Sequence, residues 1–286
     1  MSDTVRKMLS EDGVAEILVD RPAQRNAMTM DMYAALVAHV RACAQDERVR
    51  CVLLRGAGGQ SFIAGTDISY FQDFRDGSAG IEYEKQVESV VDAVERLPAP
   101  TVAVIDGWAV GGGLALAAAC DFRVCSEKSR FGVPIARTLS NTLSTRNLAR
   151  LVAAFGMTSV KRMLMLAEAL DAREARQCGF VHAVHPAESL QAEAHALALR
   201  LGELSRVTQS AVKESLRRLL IEQSMEDDDL IESVYGSEAF RQGVEGFLGR
   251  RPARQASSPH SHGPARQAGQ QHDECRRQAS DRQQSE

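Results

Sequence analysis

The chain has 286 residues, 44% hydrophobic and 25% charged, which suits one large α/β domain or two ordinary ones and excludes global disorder. A formal charge of −4 lacks the basic excess of a nucleic-acid-binding protein. No apolar run approaches the roughly 20 residues that span a bilayer. Residues 1–7 lack the apolar stretch of a secretory signal, so a cytoplasmic protein with no membrane or nucleic-acid partner is expected.

Residues 14–19 read as a strand, and Met32, Leu36, Val40 and Cys43 then mark one face of a helix. Residues 49–54 form a buried strand ended by Gly56. Val87, Val90, Val91, Val94 and Leu97 stripe a second helix, stopped by Pro98 and Pro100. Residues 101–105 are a third strand, and Asp106-Gly107 turns the chain. Gly111-Gly112-Gly113 opens a small-residue helix over 114–120, and residues 122–125 are another strand. Residues 160–166 are helical. Asp171 with Glu174 three positions on has the pattern of a capping box, and Gly179 suits the C′ position that ends that short helix. Residues 180–184 return as a strand, and 186–247 are almost wholly helical.

These elements divide the chain into an α/β core over 1–185, a helical part over 186–254 and a polar tail over 255–286. In the tail only Ala256, Ala265, Ala268, Cys275 and Ala279 are apolar. Such a segment cannot bury enough surface to offset its ordering entropy, and disorder is expected there. The six cysteines show no metal-ligand spacing, and apart from Cys275 in the tail they are scattered through apolar stretches, as reduced core thiols are. No metal site is expected. No P-loop or dinucleotide fingerprint occurs, because the GGG run lacks the required spacing.

Two glycine-bearing segments carry the chemistry. At 106–117 three glycines lie between a strand and a helix, where free N–H groups and the positive end of the helix dipole can face a ligand. The same glycines also suit a close-packed strand–helix junction. At 61–68 the run Ser-Phe-Ile-Ala-Gly-Thr-Asp-Ile offers a second backbone N–H, with Asp67 placed to cap the next turn. Two backbone donors from separate loops make an oxyanion hole, and one such donor contributes about 3–4 kcal/mol of transition-state stabilisation.

From residue 14 to 251 the sequence resembles the crotonase, or enoyl-CoA hydratase/isomerase, family. Residues 21–28 look like its RP…NA element, and 62–68 like its F-x-AG-x-D-I element. Ala109 to Gly113 with Cys120-Asp121 resembles its A-x-GGG…CD element, followed by Phe131-Gly132-Val133-Pro134. Residues 171–181 match its D-A-x-E-A…G-L-V element, and Glu245-Gly246-Phe247-Leu248 with Arg250-Arg251-Pro252 its C-terminal stretch. The resemblance implies a spiral of ββα units with a helical C-terminal trimerisation region, assembled as a trimer or a dimer of trimers. It implies an acyl-CoA ligand as substrate and no other cofactor. It assigns the oxyanion hole to the N–H groups of Thr66 and Gly112. It places Arg25, Ala27, Asp67 and Ile68 along the adenine and pantetheine of CoA, and Arg250 near a CoA phosphate. A solvated surface arginine is the other reading of Arg250.

One departure matters for the reaction. Family hydratases carry two glutamates that place and activate water. The matching positions here hold Ala115 and Ile135, and neither side chain can carry a proton. In the polar segment 135–144, Asn141 and Ser144 are candidates to orient a water or a carbonyl. Arg137 is a candidate partner for a substrate carboxylate. Helix capping and turn formation are the alternative roles of that segment. Tyr83 and Glu84 either enter the pocket or lie on a helix's wet face. The expected function is an enzyme that stabilises a thioester enolate in isomerisation, hydration of an unusual substrate, decarboxylation or thioester cleavage, with a carbon–carbon bond hydrolase that uses no CoA as a further alternative. A non-catalytic thioester-binding protein is the alternative.

Overall fold

A computed structural model describes the backbone of residues 4–249 and the side chains of residues 4–246. In chain order the strands are β1 (Val5–Leu9), β2 (Val14–Val19), β3 (Cys51–Gly56), β4 (Ser61–Ile63), β5 (Thr101–Ile105), β6 (Trp108–Val110), β7 (Phe122–Ser126), β8 (Arg130–Gly132), β9 (Ala169–Asp171) and β10 (Ala183–His185). The α-helices are α1 (Met30–Gln45), α2 (Gly77–Glu95), α3 (Gly112–Ala119), α4 (Thr145–Phe155), α5 (Met157–Met165), α6 (Ala172–Gln177), α7 (Leu190–Gly202), α8 (Arg206–Arg217), α9 (Asp228–Tyr235) and α10 (Glu238–Gly249). The described residues up to 244 form one compact unit, and the end of α10 belongs to a second.

The larger sheet has the order β1-β2-β3-β5-β7-β10. β1 and β2 form an antiparallel hairpin, and every later pairing is parallel. Parallel strands need cover on both faces, and the side-chain alternation of each strand supplies two apolar surfaces. Val52, Leu54, Ala103 and Ile105 face a core shared with α1, α2 and α3. Cys51, Leu53, Val102, Val104 and Val124 face Leu190, Ala194, Leu197, Ala198 and Leu201 of α7. At about 25 cal/mol per Å² of apolar area, each fully buried Val, Leu or Ile among these contributes roughly 1.5–3 kcal/mol before entropy.

The smaller sheet, β4-β6-β8-β9, is what positions the site. β4 and β6 pair in parallel and each ends in a glycine-bearing loop. Gly113, the second residue of α3, packs so closely on β4 that a Cβ would lie 2.0 Å from the Ile63 carbonyl oxygen. No other residue fits there without moving a backbone.

Strand 14–19, strand 101–105 and the Asp171–Glu174 capping box lie where the sequence predicts them. The strand expected over 180–184 begins at Ala183 instead. Phe180 and Val181 are fully buried, but the Val181 N–H donates to the Ala175 carbonyl, which holds this stretch as a connection out of α6. The second helix starts earlier than its stripe suggests, at Gly77, where the Asp76 side chain accepts from the Ser78 N–H. Beyond residue 186 helices follow one another, with a π-helical turn over Arg218–Glu222. Among the described residues no helix is long and apolar enough to cross a membrane. Arg250 and the tail expected over 255–286 lie outside the described residues.

Candidate active site

The loop before α1 is built around a buried asparagine. The Asn26 side-chain oxygen accepts from the Arg21 N–H, and its amide donates to the Ala57 and Ser61 carbonyls at 2.9 and 2.7 Å. Those bonds fix the chain leading into β4. Arg21 reaches further, donating to the Ala27 carbonyl and to an Asp67 oxygen at 2.7 Å. Hydrogen bonding from Arg21 first, and from Ser69, holds the Asp67 carboxyl below the usual carboxylate range. Asp67 is therefore a cap, accepting from the Ser69 N–H at the start of a short 3₁₀ turn, and a brace to Arg21.

Thr66 sits in a short parallel bridge to Met28. The Met28 N–H donates to the Gly65 carbonyl, and the Asp67 N–H donates to the Met28 carbonyl. Successive peptide groups of an extended chain point to opposite sides. The Thr66 N–H is thus directed away from Met28 and donates to no other group among the described residues. Gly112 opens α3, and its N–H is one of the unpaired donors of a helix's first turn. The two loops meet at Gly65. A Cβ there would lie 3.5 Å from the Gly112 nitrogen and 3.2 Å from the Val110 carbonyl oxygen, and Gly65 adopts φ +87°. Glycine is what lets the two loops approach this closely at that φ.

Behind this pair lies a chain of three hydroxyls. Tyr33 Oη lies 3.0 Å from Thr66 Oγ1, which lies 2.7 Å from Tyr83 Oη. Burial pushes both phenols up, Tyr83 to about 12, so both are neutral donors at neutral pH. Tyr83 is clamped by an aromatic cluster, with Phe71, Tyr70 and Phe74 ring centroids 4.8, 6.0 and 6.2 Å away. Tyr33 is a residue that sequence reasoning missed. Its place on the apolar stripe of α1 reads as core, and only the contact to Thr66 reveals a polar role.

Ala115 is fully buried in the first turn of α3, and Ile135 is half-buried against the same core. Neither glutamate position has gained a proton carrier. Ser144 caps α4 by accepting from the Asn147 N–H, and its own N–H donates to Glu84 Oε2 at 2.8 Å. Burial raises the Glu84 carboxyl despite that bond. Asn141 is exposed and lines a 200 Å³ hollow with Ile135, Leu143, Leu148 and Leu164. Arg137 is exposed at the edge of a separate 460 Å³ hollow with Trp108, Arg162 and Glu168. Segment 137–144 therefore splits between a cap and two different hollows. Ala27 and Asp67 are joined by the Arg21 brace, while Arg25 and Ile68 are exposed.

Asp121 of the glycine element and Glu168 are structural. Asp121 accepts from the Thr101 N–H and hydroxyl and from Lys213 Nζ at 2.6 Å, tying β5 to α8. Glu168 pairs with Arg162. His39 bonds the Val5 carbonyl, and His195 pairs with Asp12, both away from the two N–H donors.

An enoyl-CoA hydratase/isomerase family model matches residues 10–257. The crotonyl-CoA hydratase of Syntrophomonas wolfei is 28% identical over 85% of this chain and 94% of its own. The mitochondrial methylglutaconyl-CoA hydratase of Mus musculus is 31% identical over 78% and 71%. Among solved structures, an enoyl-CoA hydratase/carnithine racemase from Magnetospirillum magneticum superposes with a TM-score of 0.79. It is 27% identical and covers 88% of this chain and 94% of that one. The fold is of the crotonase type, an α/β architecture. The chain belongs to the enoyl-CoA hydratase/isomerase family.

Proposed function

We propose that this protein binds an acyl-CoA or enoyl-CoA thioester and polarises its carbonyl between the N–H groups of Thr66 and Gly112. The observation that carries this reading is the close approach of their two loops at Gly65, with neither N–H spent on another bond among the described residues. Each donor aimed at a developing oxyanion contributes about 3–4 kcal/mol. The relatives named as crotonyl-CoA and methylglutaconyl-CoA hydratases favour a CoA thioester as the ligand. The CoA moiety would run along Arg25, Ala27, Asp67 and Ile68, with Arg250 at a phosphate, in a trimer or dimer of trimers.

Hydration by a pair of glutamates does not fit Ala115 and Ile135. The enolate chemistry open to this site is a step that needs the oxyanion hole and no carboxylate pair. A second reading, thioester binding without turnover, is favoured by one observation. Ser144 is spent as a helix cap, while Arg137 and Asn141 are exposed in different hollows. Incubating the protein with acyl-, enoyl- and carboxyacyl-CoA thioesters, followed by mass spectrometry and chromatography, separates the readings. A change of mass or retention for one thioester supports the enzyme. Saturable binding with no change in any of them supports the binding protein.

A further inference from the structure

The smaller sheet has a second face. Ile63, Ala109, Phe131 and Leu170 stand in register across β4, β6, β8 and β9, and all four are buried in the core on which α3 packs. Side chains alternate along a strand. Trp108 and Val110 of β6, Gly132 of β8 and Ala169 of β9 therefore face the other way, where they line a hollow of 460 Å³. Val110, Gly132 and Ala169 lie side by side in register and form its floor. The middle residue has no side chain, which leaves room above the floor. Neither backbone nor packing demands glycine there. Gly132 takes no left-handed φ, and a Cβ on it would meet nothing closer than 3.4 Å, an ordinary contact.

Two lining residues are left unused by the fold. Trp108 is the only tryptophan of the chain and is 43% exposed, so part of a large apolar ring is open at the hollow. Arg137 lines it from the turn after Pro134 and is exposed. Its side chain makes no hydrogen bond, ion pair or ring contact among the described residues. The other two charged residues of the lining, Arg162 and Glu168, are paired with each other at 2.7 Å. One guanidinium is therefore uncompensated, beside an open indole ring and the apolar side chains of Val110, Leu166 and Ala169.

This combination selects a ligand with one negative charge and a flat apolar body. A guanidinium holds a carboxylate through two parallel N–H donors. An aromatic ring packs on indole by offset stacking or edge-to-face contact. Glu168 borders the same space and opposes a second negative charge, which disfavours a phosphate dianion. The volume falls in the range of small-molecule pockets, roughly 300–1,000 Å³. We propose that this hollow is a binding site for an aromatic monocarboxylate, with the carboxylate on Arg137 and the ring on Trp108. The proposal does not rest on the thioester reading, and neither Thr66 nor Gly112 lines the hollow.

A single tryptophan makes the test direct, because its fluorescence reports this hollow alone. The full chain is titrated with benzoate, phenylacetate and 3-phenylpropionate, with phenylacetamide as the neutral isostere and inorganic phosphate as the bare anion. The expected result is a saturable change in Trp108 emission with at least one carboxylate, and at least ~10-fold weaker binding of the amide. Arg137→Ala should weaken carboxylate binding at least ~10-fold, with Arg137→Lys retaining part of it. Ala169→Leu, at an exposed position, fills the floor and should abolish the change. Equal affinity for acid and amide, or wild-type affinity in Arg137→Ala, overturns the carboxylate assignment. If that variant does not fold, wild-type affinity in Ala169→Leu overturns the location. Saturation by phosphate as tight as by the carboxylates makes this a bare-anion site and overturns the ligand class. Competition by acetyl-CoA would move the ligand to the thioester site and overturn a separate hollow. No saturable change with any of the three carboxylates removes the site and leaves the thioester reading untouched.

Discussion

The substitution Gly65→Ala probes the meeting of the two loops. At φ +87° an alanine costs about 1–2 kcal/mol in left-handed strain. Its stiffer unfolded chain returns roughly 0.4–1 kcal/mol. The new methyl would press at 3.2 Å on the Val110 carbonyl oxygen, which adds to the loss. A net destabilisation of about 1–2 kcal/mol lowers the melting temperature by roughly 2–8 °C in a chain of this size. The functional effect is separate. The methyl would stand 3.5 Å from the Gly112 nitrogen, in the space where a thioester oxygen would sit. Blocking one oxyanion donor costs about 10²–10³-fold in turnover. Gly156→Ala is the control, because Gly156 has φ +76° and no atom within 4 Å of its would-be Cβ. Both variants should melt early in a thermal scan. Only Gly65→Ala should lose turnover and preference for acetyl-CoA over free CoA. Equal behaviour of the two variants toward thioesters would refute the geometry inferred for the hole.

Three further outcomes follow from the packing and charges. Arg150 is 1% exposed on its side chain and donates to both Glu95 oxygens, so Glu95→Ala leaves a buried guanidinium with only the Asn147 side chain and a longer 3.6 Å pairing to Asp92. Chemical denaturation should show a loss of about 3–5 kcal/mol. Glu214 is held at about 2 by hydrogen bonding from Arg217 and then Arg218, against an ordinary value of 4.5. Its stabilisation is complete above pH 4.5 and lost as pH falls toward 2, so an acid titration of stability should flatten over that window in Glu214→Gln. Ala115→Glu combined with Ile135→Glu should confer hydration of crotonyl-CoA. Unchanged activity with binding retained would place the limit in the shape of the pocket.

Periodicity made the long elements legible. The valine stripe of α2 and the apolar run of β5 lie where their patterns put them, because burial of one face or of both sets the spacing. The strands β4, β6, β8 and β9 were not legible, since three residues are too few for a period to register. The glycine elements pointed to Thr66 and Gly112, but the approach of their two loops depends on β4 pairing with β6, a contact between residues far apart in sequence. Asp67 shows how a motif residue can be read at two levels. Its capping role follows from the local Asp-x-Ser pattern, whereas its brace to Arg21 spans 46 positions and appears only in the fold. Tyr33 was hidden for the opposite reason. A tyrosine on an apolar stripe is core by pattern, and its hydroxyl's partner comes from another loop.

The most direct test of the central claim is the carbonyl stretch of a thioester bound to the protein, read by infrared difference spectroscopy with carbon-13 at the thioester carbonyl. In the proposed site, two N–H donors from Thr66 and Gly112 would weaken that bond. The account predicts a shift to lower frequency on binding that disappears in Gly65→Ala and persists in Gly156→Ala. Saturable binding with the carbonyl at its solution frequency would contradict it.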